Sequence, residues 1–219
     1  MDYHRHLDDE LSSLLDRVLL LGGEAEQALE RAMYALSERD SDVAREVLEH
    51  DDQVDQLEVE IDRQCIDIIA LRQPAARDLR FVISVAKMAP VLERIADHAV
   101  NIARAAIDLN NEPELKSLLD LNRMSEHALK MLRGALDSFT SNDALTAREI
   151  IKSDNEINDL YNHTFHRLIE MMVTEPTTAT RDARLLFVAK HLERIGDYVT
   201  DICELTVYMA EAAFIKHTN

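Results

Sequence analysis

The chain has no tryptophan, only two cysteines, four glycines and four prolines in 219 residues, and aromatic residues make up just 5% of it. So few chain breakers and so few aromatic side chains exclude a fold built from short strands and tight turns, and favour long helices. Cys65 and Cys203 lie far apart with no CxxC spacing, which excludes a disulfide framework and a thiolate zinc site. Both are expected to be small buried apolar residues in a reducing compartment. No apolar run approaches the roughly 18 residues of a membrane span, and the opening segment MDYHRHLDDE has no apolar stretch behind a basic one, so the expectation is a cytoplasmic protein without direct membrane insertion. Basic residues are also short: 24 Lys and Arg face 42 Asp and Glu, for a net charge of -18. That balance opposes nucleic acid and anionic lipid as partners, and suits cations, a basic protein surface or plain solubility.

What is present is helical periodicity. Apolar residues recur every three or four positions from Leu11 through Leu36, marking a first helix that ends near Asp40. Ser41 is placed to cap a second, whose apolar face runs through Val47, Val54, Leu57, Ile61, Cys65 and Ile68 and which stops before Pro74. A third runs from about Ala76 to Leu109, with Pro90 inside it and a kink expected near Ala86. The pattern then repeats as Leu118 to Phe139, Ala144 to Met172 and Thr180 to Ile215. ERIADHAVNI from Glu93 matches ERIGDYVTDI from Glu193 at an offset of 100 residues, while Asp51, Val54 and Leu57 match Asp154, Ile157 and Leu160 at an offset of 103. The small change is expected in the connection between second and third helices. Duplication of a three-helix unit follows, giving an all-α fold of two tandem three-helix bundles, residues 1–111 and 112–219, lying side by side.

The duplicated segment carries the chemistry. With Glu93 as origin, Asp97 and Asn101 fall at about 40° and about 80° around the helix, whereas Met88, Ile95, Ala99 and Ile102 cluster on the opposite side. Glu193, Asp197 and Asp201 repeat those angles, so an acidic stripe is expected to face away from the core in both halves. A solvated face explains this poorly, because like charges one turn apart cost a helix about 0.2–0.5 kcal/mol per pair, and a face selected for solubility would alternate signs. A hard cation relieves the repulsion, since oxygen ligands a turn apart converge on one ion and Asn supplies a neutral carbonyl. The candidate ions are iron, manganese, magnesium, zinc and calcium, with the harder ones suited best to all-oxygen ligands. Asp51, Asp55, Glu58 and Asp62 form a second acidic row within about 60° on the second helix, able to share a site with the third. The corresponding residues of the other half are Asp154, Asn158, Tyr161 and Phe165, so the second site is expected to be poorer. His98 occupies the position of Tyr198 and reads as a packing residue, and His163 and His166 read as surface residues.

At ERIADHAVNIAR and ERIGDYVTDICE, with QPAARDLRFVISVAKM before the first and ARLLFVAKHL before the second, the chain strongly resembles the PhoU family of phosphate-uptake regulators. That resemblance implies two three-helix bundles side by side and surface metal sites built on Glu/Asp-x-x-x-Asp motifs. These map to Glu93/Asp97, Glu193/Asp197, Asp51/Asp55 and, incompletely, Asp154/Asn158. It further implies a regulator that contacts the ATPase subunit of the phosphate ABC transporter and a phosphate-sensing histidine kinase, peripheral to the inner face of the membrane, and a homodimer. An enzyme is not expected. A carboxylate-bridged di-metal oxidase needs Glu-x-x-His pairs, and no His here has Glu three residues before it. HExxH, GxxxxGK[ST] and GxSxG are also missing. The remaining alternative is a metal-binding helical scaffold serving another transporter.

Overall fold

In a computed structural model the described residues, 2–113 and 119–212, form six long helices. These are α1 (Asp2–Ser37), α2 (Ser41–Arg72), α3 (Ala76–Asn110), α4 (Leu119–Ser141), α5 (Ala144–Thr174) and α6 (Ala179–Glu211), with a 3₁₀ turn at Pro176–Thr178 before the last. No strand occurs among the described residues. The expected limits at Leu118 and Ile215 lie outside them. α3 runs unbroken through Pro90.

Each half packs its first helix against its second and third, and the halves join where α3 meets α6 and α1 meets α4. α3 and α6 therefore have neighbours on three sides. Ala89, Ala96, Ala99, Ala103 and Ala106 on α3, and Ala189, Gly196, Val199 and Cys203 on α6, are buried. Their small side chains let neighbouring backbones come close, while Leu92, Ile95, Ile102, Leu192, Ile195 and Ile202 fill the spaces between. Each of the larger ones contributes about 1.5–3 kcal/mol by leaving water. Burial repeats along α3 and α6 at the 100-residue offset, and the change from 103 falls at the α2–α3 and α5–α6 connections, as expected. Cys65 and Cys203 are buried free thiols, and burial pushes both pKa values up to about 12, so neither is a reactive thiolate.

Between the halves, Gly22 on α1 lets the Leu136 side chain of α4 close in to where a Cβ would stand. Arg133 of α4 reaches Glu26 and Glu30 of α1. At the far end Arg184 pairs with Glu112, and Arg39, in left-handed backbone, donates to the carbonyls of Asn110 and Glu112. Those carbonyls close the C-terminal end of α3, where no intrahelical donor remains.

Ser41 is not the cap of α2. Asp40 takes that place, its carboxylate accepting from the backbone N–H of Asp42 at 3.0 Å and of Val43 at 3.1 Å. The hydroxyl of Ser41 accepts from the Asn110 amide instead. Asp143 caps α5 in the same manner. Asp40 is the residue with the extended backbone an N-cap needs, φ -96° and ψ 95°, and its charge also meets the positive end of the helix dipole. Asp40→Ala is expected to cost about 1 kcal/mol in urea unfolding and Ser41→Ala clearly less; equal losses would return the cap to Ser41.

Candidate metal centres

α2 and α3 run antiparallel with a groove between them, and the carboxylates of both helices converge in it. Glu93 is pushed up to about 7 by burial and then by the negative fields of Asp97, Asp55 and Glu58. Asp51 is raised by burial, then by Asp55 and Asp97. Glu58 is raised by burial, then by Asp62 and Asp55. The first cluster thus joins Asp51, Asp55 and Glu58 of α2 to Glu93 and Asp97 of α3, and Asp62 stands beyond it beside Glu58. Asn101 is otherwise engaged: its amide donates to the Asp97 carbonyl at 2.9 Å and its side-chain oxygen accepts from Arg104 at 3.2 Å. The Arg104 bond takes up one of the two lone pairs of that oxygen.

The second cluster lies in the α5/α6 groove. Asp154 is pushed up to about 6 by burial, then by Asp197, with Glu193 adding to it and the Asn158 hydrogen bond of 2.7 Å opposing. Its Oδ1 is buried without a hydrogen-bond partner and lies 2.6 Å from where a Cβ on Gly196 would stand. The missing Cβ lets that carboxylate seat against the α6 backbone; the equivalent residue in the other half is Ala96. Asp197 is raised by burial, then by Glu193, and Asp201 adds a smaller share.

The two clusters differ in their cations. Lys190 pairs with Glu193 at 2.6 Å, and Arg194 with Asp197 at 3.3 Å. The residue equivalent to Lys190 is Pro90, so Glu93 has no ion-paired lysine one turn before it. Lys190 also lies over the Tyr161 ring at 5.1 Å, and Tyr161 stands where the first half has Glu58. Proline, aspartate and glutamate make the first groove strongly negative; lysine, asparagine and tyrosine relieve the second.

The stripe does not face fully outward. Neighbouring helices cover its flank, so Glu93, Asn101, Asp197 and Asp201 are half-buried and the Glu193 side chain is only 13% exposed. That half-burial is what raises the carboxylate pKa values, since desolvation disfavours the charged form. The donor chemistry fits hard cations: oxygens only, crowded by like charge, with one buried oxygen lacking any donor. Among the described residues no three His, Cys, Asp or Glu side chains are already gathered to hold an ion. The carboxylates are near enough to repel one another yet still need rotamer changes to share a ligand.

Between the two grooves, at the α3/α6 seam, His98 and His191 share a hydrogen bond, Nδ1 to Nδ1, of 2.8 Å, and His98 stacks on Tyr198. Burial lowers both pKa values, with Asp97 opposing at His98; His191 goes down to about 4. His98 packs as expected, but nothing in sequence signalled a partner 93 residues away. His163 and His166 are exposed, also as expected.

Comparison with known proteins places these features in a family. A model of the PhoU domain matches residues 18–106 and again 121–206. The phosphate-specific transport system accessory protein PhoU homolog of Aquifex aeolicus is 36% identical over 210 residues, which is 96% of this chain and 95% of that protein. The phosphate-specific transport system accessory protein PhoU of Escherichia coli is 36% identical over 96% of this chain and 87% of its own length. The crystal structure of PhoU from Pseudomonas aeruginosa superposes with a TM-score of 0.91 at 35% identity, covering 94% of this chain and 99% of the other. The phosphate transport system regulatory protein PhoU of Streptococcus pneumoniae gives a TM-score of 0.89 at 30% identity, covering 95% and 99%.

The raised carboxylates carry a pH signature. A folded-state carboxylate whose pKa lies above its unfolded value keeps a proton that the unfolded chain releases, so its contribution weakens as pH rises from the unfolded pKa through the folded one. For Glu93 that window runs from 4.5 to about 7 and for Asp154 from 3.8 to about 6. The melting temperature of metal-free protein is expected to fall between about pH 4 and about pH 7, and the fall to shrink in Glu93→Gln. A melting temperature that rose across this interval would contradict the crowding described.

Proposed function

The chain belongs to the PhoU family, and from that membership we propose that it is a non-enzymatic regulator of phosphate uptake and of the response to phosphate starvation. It acts by contact with the ATPase subunit of a phosphate ABC transporter and with a sensor kinase, at the cytoplasmic face of the membrane. The single observation that carries this reading is the extent of the match: the PhoU domain fits residues 18–106 and 121–206, and the Aquifex aeolicus relative aligns over 96% of the chain. No helix among the described residues is long and apolar enough to cross a membrane, which suits a protein that reaches the membrane through partners. The homodimer implied by the resemblance belongs to the same proposal.

Metal is part of that reading. Glu93, Asp97, Asp51 and Asp55 would hold an ion in the first groove, and Glu193, Asp197 and Asp154 one in the second, with Asn101 and Asp201 at the edges. A bound cation would supply the positive charge that the clustered carboxylates lack. Iron, manganese, magnesium or calcium suits these oxygens better than zinc. Arg94 and Arg194 stand at equivalent positions, but Lys190 pairs with Glu193 where the first groove has Pro90, so the first is the tighter site. Mn²⁺ titration calorimetry should show Glu93→Ala/Asp97→Ala losing more affinity than Glu193→Ala/Asp197→Ala. Equal losses would remove the ranking, and no Mn²⁺, Fe³⁺, Mg²⁺ or Ca²⁺ binding by unmutated protein would remove the sites.

The regulatory reading is tested in cells. Deleting the gene should derepress alkaline phosphatase while phosphate is plentiful, and supplying the chain from a plasmid should restore repression. A deletion strain that responds normally to phosphate would assign the protein to another transport system.

A further inference from the structure

Internal duplication provides a control for every surface position, because the two halves share one fold and one packing scheme. Along the outer edge of the α5/α6 groove, Tyr161, Phe165, Ile169 and Val173 follow one another at four-residue steps, and Phe187 of α6 joins them. The antiparallel register that sets Asp154 near Asp197 and Tyr161 beside Lys190 brings Phe187 level with Phe165. Tyr161 and Phe165 are half-buried with ring centroids 6.3 Å apart, while Ile169, Val173 and Phe187 are 39%, 74% and 66% exposed. The equivalent residues of the first half are Glu58, Asp62, Ile66, Ala70 and Lys87. Three are charged and one is alanine, leaving Ile66 as an isolated exposed apolar residue, so the fold itself does not require a row of them at this place. On a surface carrying a net charge of -18, a row of exposed apolar side chains that folding does not need marks an interaction site.

The charges around the stripe select its occupant. Arg167 is paired with Asp120, Lys190 with Glu193 and Arg181 with Asp182. Glu170 and Glu175 are exposed at the same end and enter no ion pair among the described residues. A second copy of this chain would bring the same net charge and the same two glutamates against themselves, whereas a partner with basic flanks would neutralise them. We propose that the stripe from Tyr161 to Val173, with Phe187, is the surface on which a partner protein of the phosphate transport system docks an amphipathic helix, its apolar face in the groove and its flanks rich in Lys or Arg. The docked helix would present apolar anchors of its own at three- and four-residue spacing. The first half, with Glu58, Asp62 and Lys87 in the corresponding places, keeps the tighter cation site. The inference rests on the regulatory reading above, and it divides the duplicated halves by task.

The test compares the full chain with Val173→Glu/Phe187→Glu, both at exposed positions, and at the second of them Lys87 of the other half shows that a charge is compatible with the fold. Leu20→Glu/Leu71→Glu, exposed apolar residues away from the stripe, is the control. Circular dichroism and melting first establish that both variants are folded. Binding is then measured by biolayer interferometry to the purified ATPase subunit of the phosphate transporter from the same organism, and to the cytoplasmic part of its phosphate-sensing kinase. The expected result is a loss of about tenfold or more for the stripe variant towards one of them, with the control close to unmutated protein. Unchanged binding by the stripe variant overturns the docking surface and leaves the regulatory reading standing. Failure of unmutated protein to bind either partner overturns the regulatory reading and the surface with it. If the stripe variant instead changes only the oligomeric state in sedimentation, a second copy occupies the stripe and the proposal fails.

Discussion

Everything in this molecule follows from crowding around α3 and α6. Each is enclosed on three sides, α3 by α1, α2 and α6, and α6 by α4, α5 and α3. Small residues such as Ala96, Ala103 and Gly196 make the enclosure possible, because larger ones would hold neighbouring backbones apart. Only a narrow strip of each helix is left for polar side chains, and it borders the groove shared with the preceding helix. Of the carboxylates on that strip Asp97 is exposed, whereas Glu93 and Asp197 are partly desolvated. Their raised pKa values and their mutual repulsion are consequences of packing, and the fit to hard cations is a consequence of both.

Much of this was legible in the sequence. The three-residue and four-residue recurrence from Leu11 to Leu36, the paired ERIADHAVNI and ERIGDYVTDI segments and the breaks at Pro74 and Pro113 are local signals, and they set the helices and the duplication. The orientation of the acidic stripe was only partly legible. An angular count measures a helix against its own axis and is blind to the neighbour that covers its flank, which is why Glu193 proves nearly buried. The cap of α2 escaped for a similar reason: Asp40 and Ser41 are adjacent, both are good capping residues, and backbone geometry at one position decides between them. The His98–His191 bond joins two helices through residues with no shared motif, so no sequence pattern could announce it.

The most informative positions are those where the halves disagree. Read as a ligand set, Tyr161 and Phe165 are losses from a metal site. Read on the surface, with Val173 and Phe187 beside them, they are gains of exposed apolar area. Pro90 against Lys190 makes the same point for charge, since one exchange removes a cation from the first groove and supplies one to the second. Shared fold and divergent surface together let each half serve as the reference for the other.

Joining the halves in one polypeptide has a genetic consequence. A three-helix chain that paired with an identical copy would be bound by symmetry: replacing its aspartate by phenylalanine would alter both grooves at once, and a gain in one would be a loss in the other. The fused gene is free of that constraint. Asp62 and Phe165 are separate codons, so drift and selection can act on one groove while the other stays as it was.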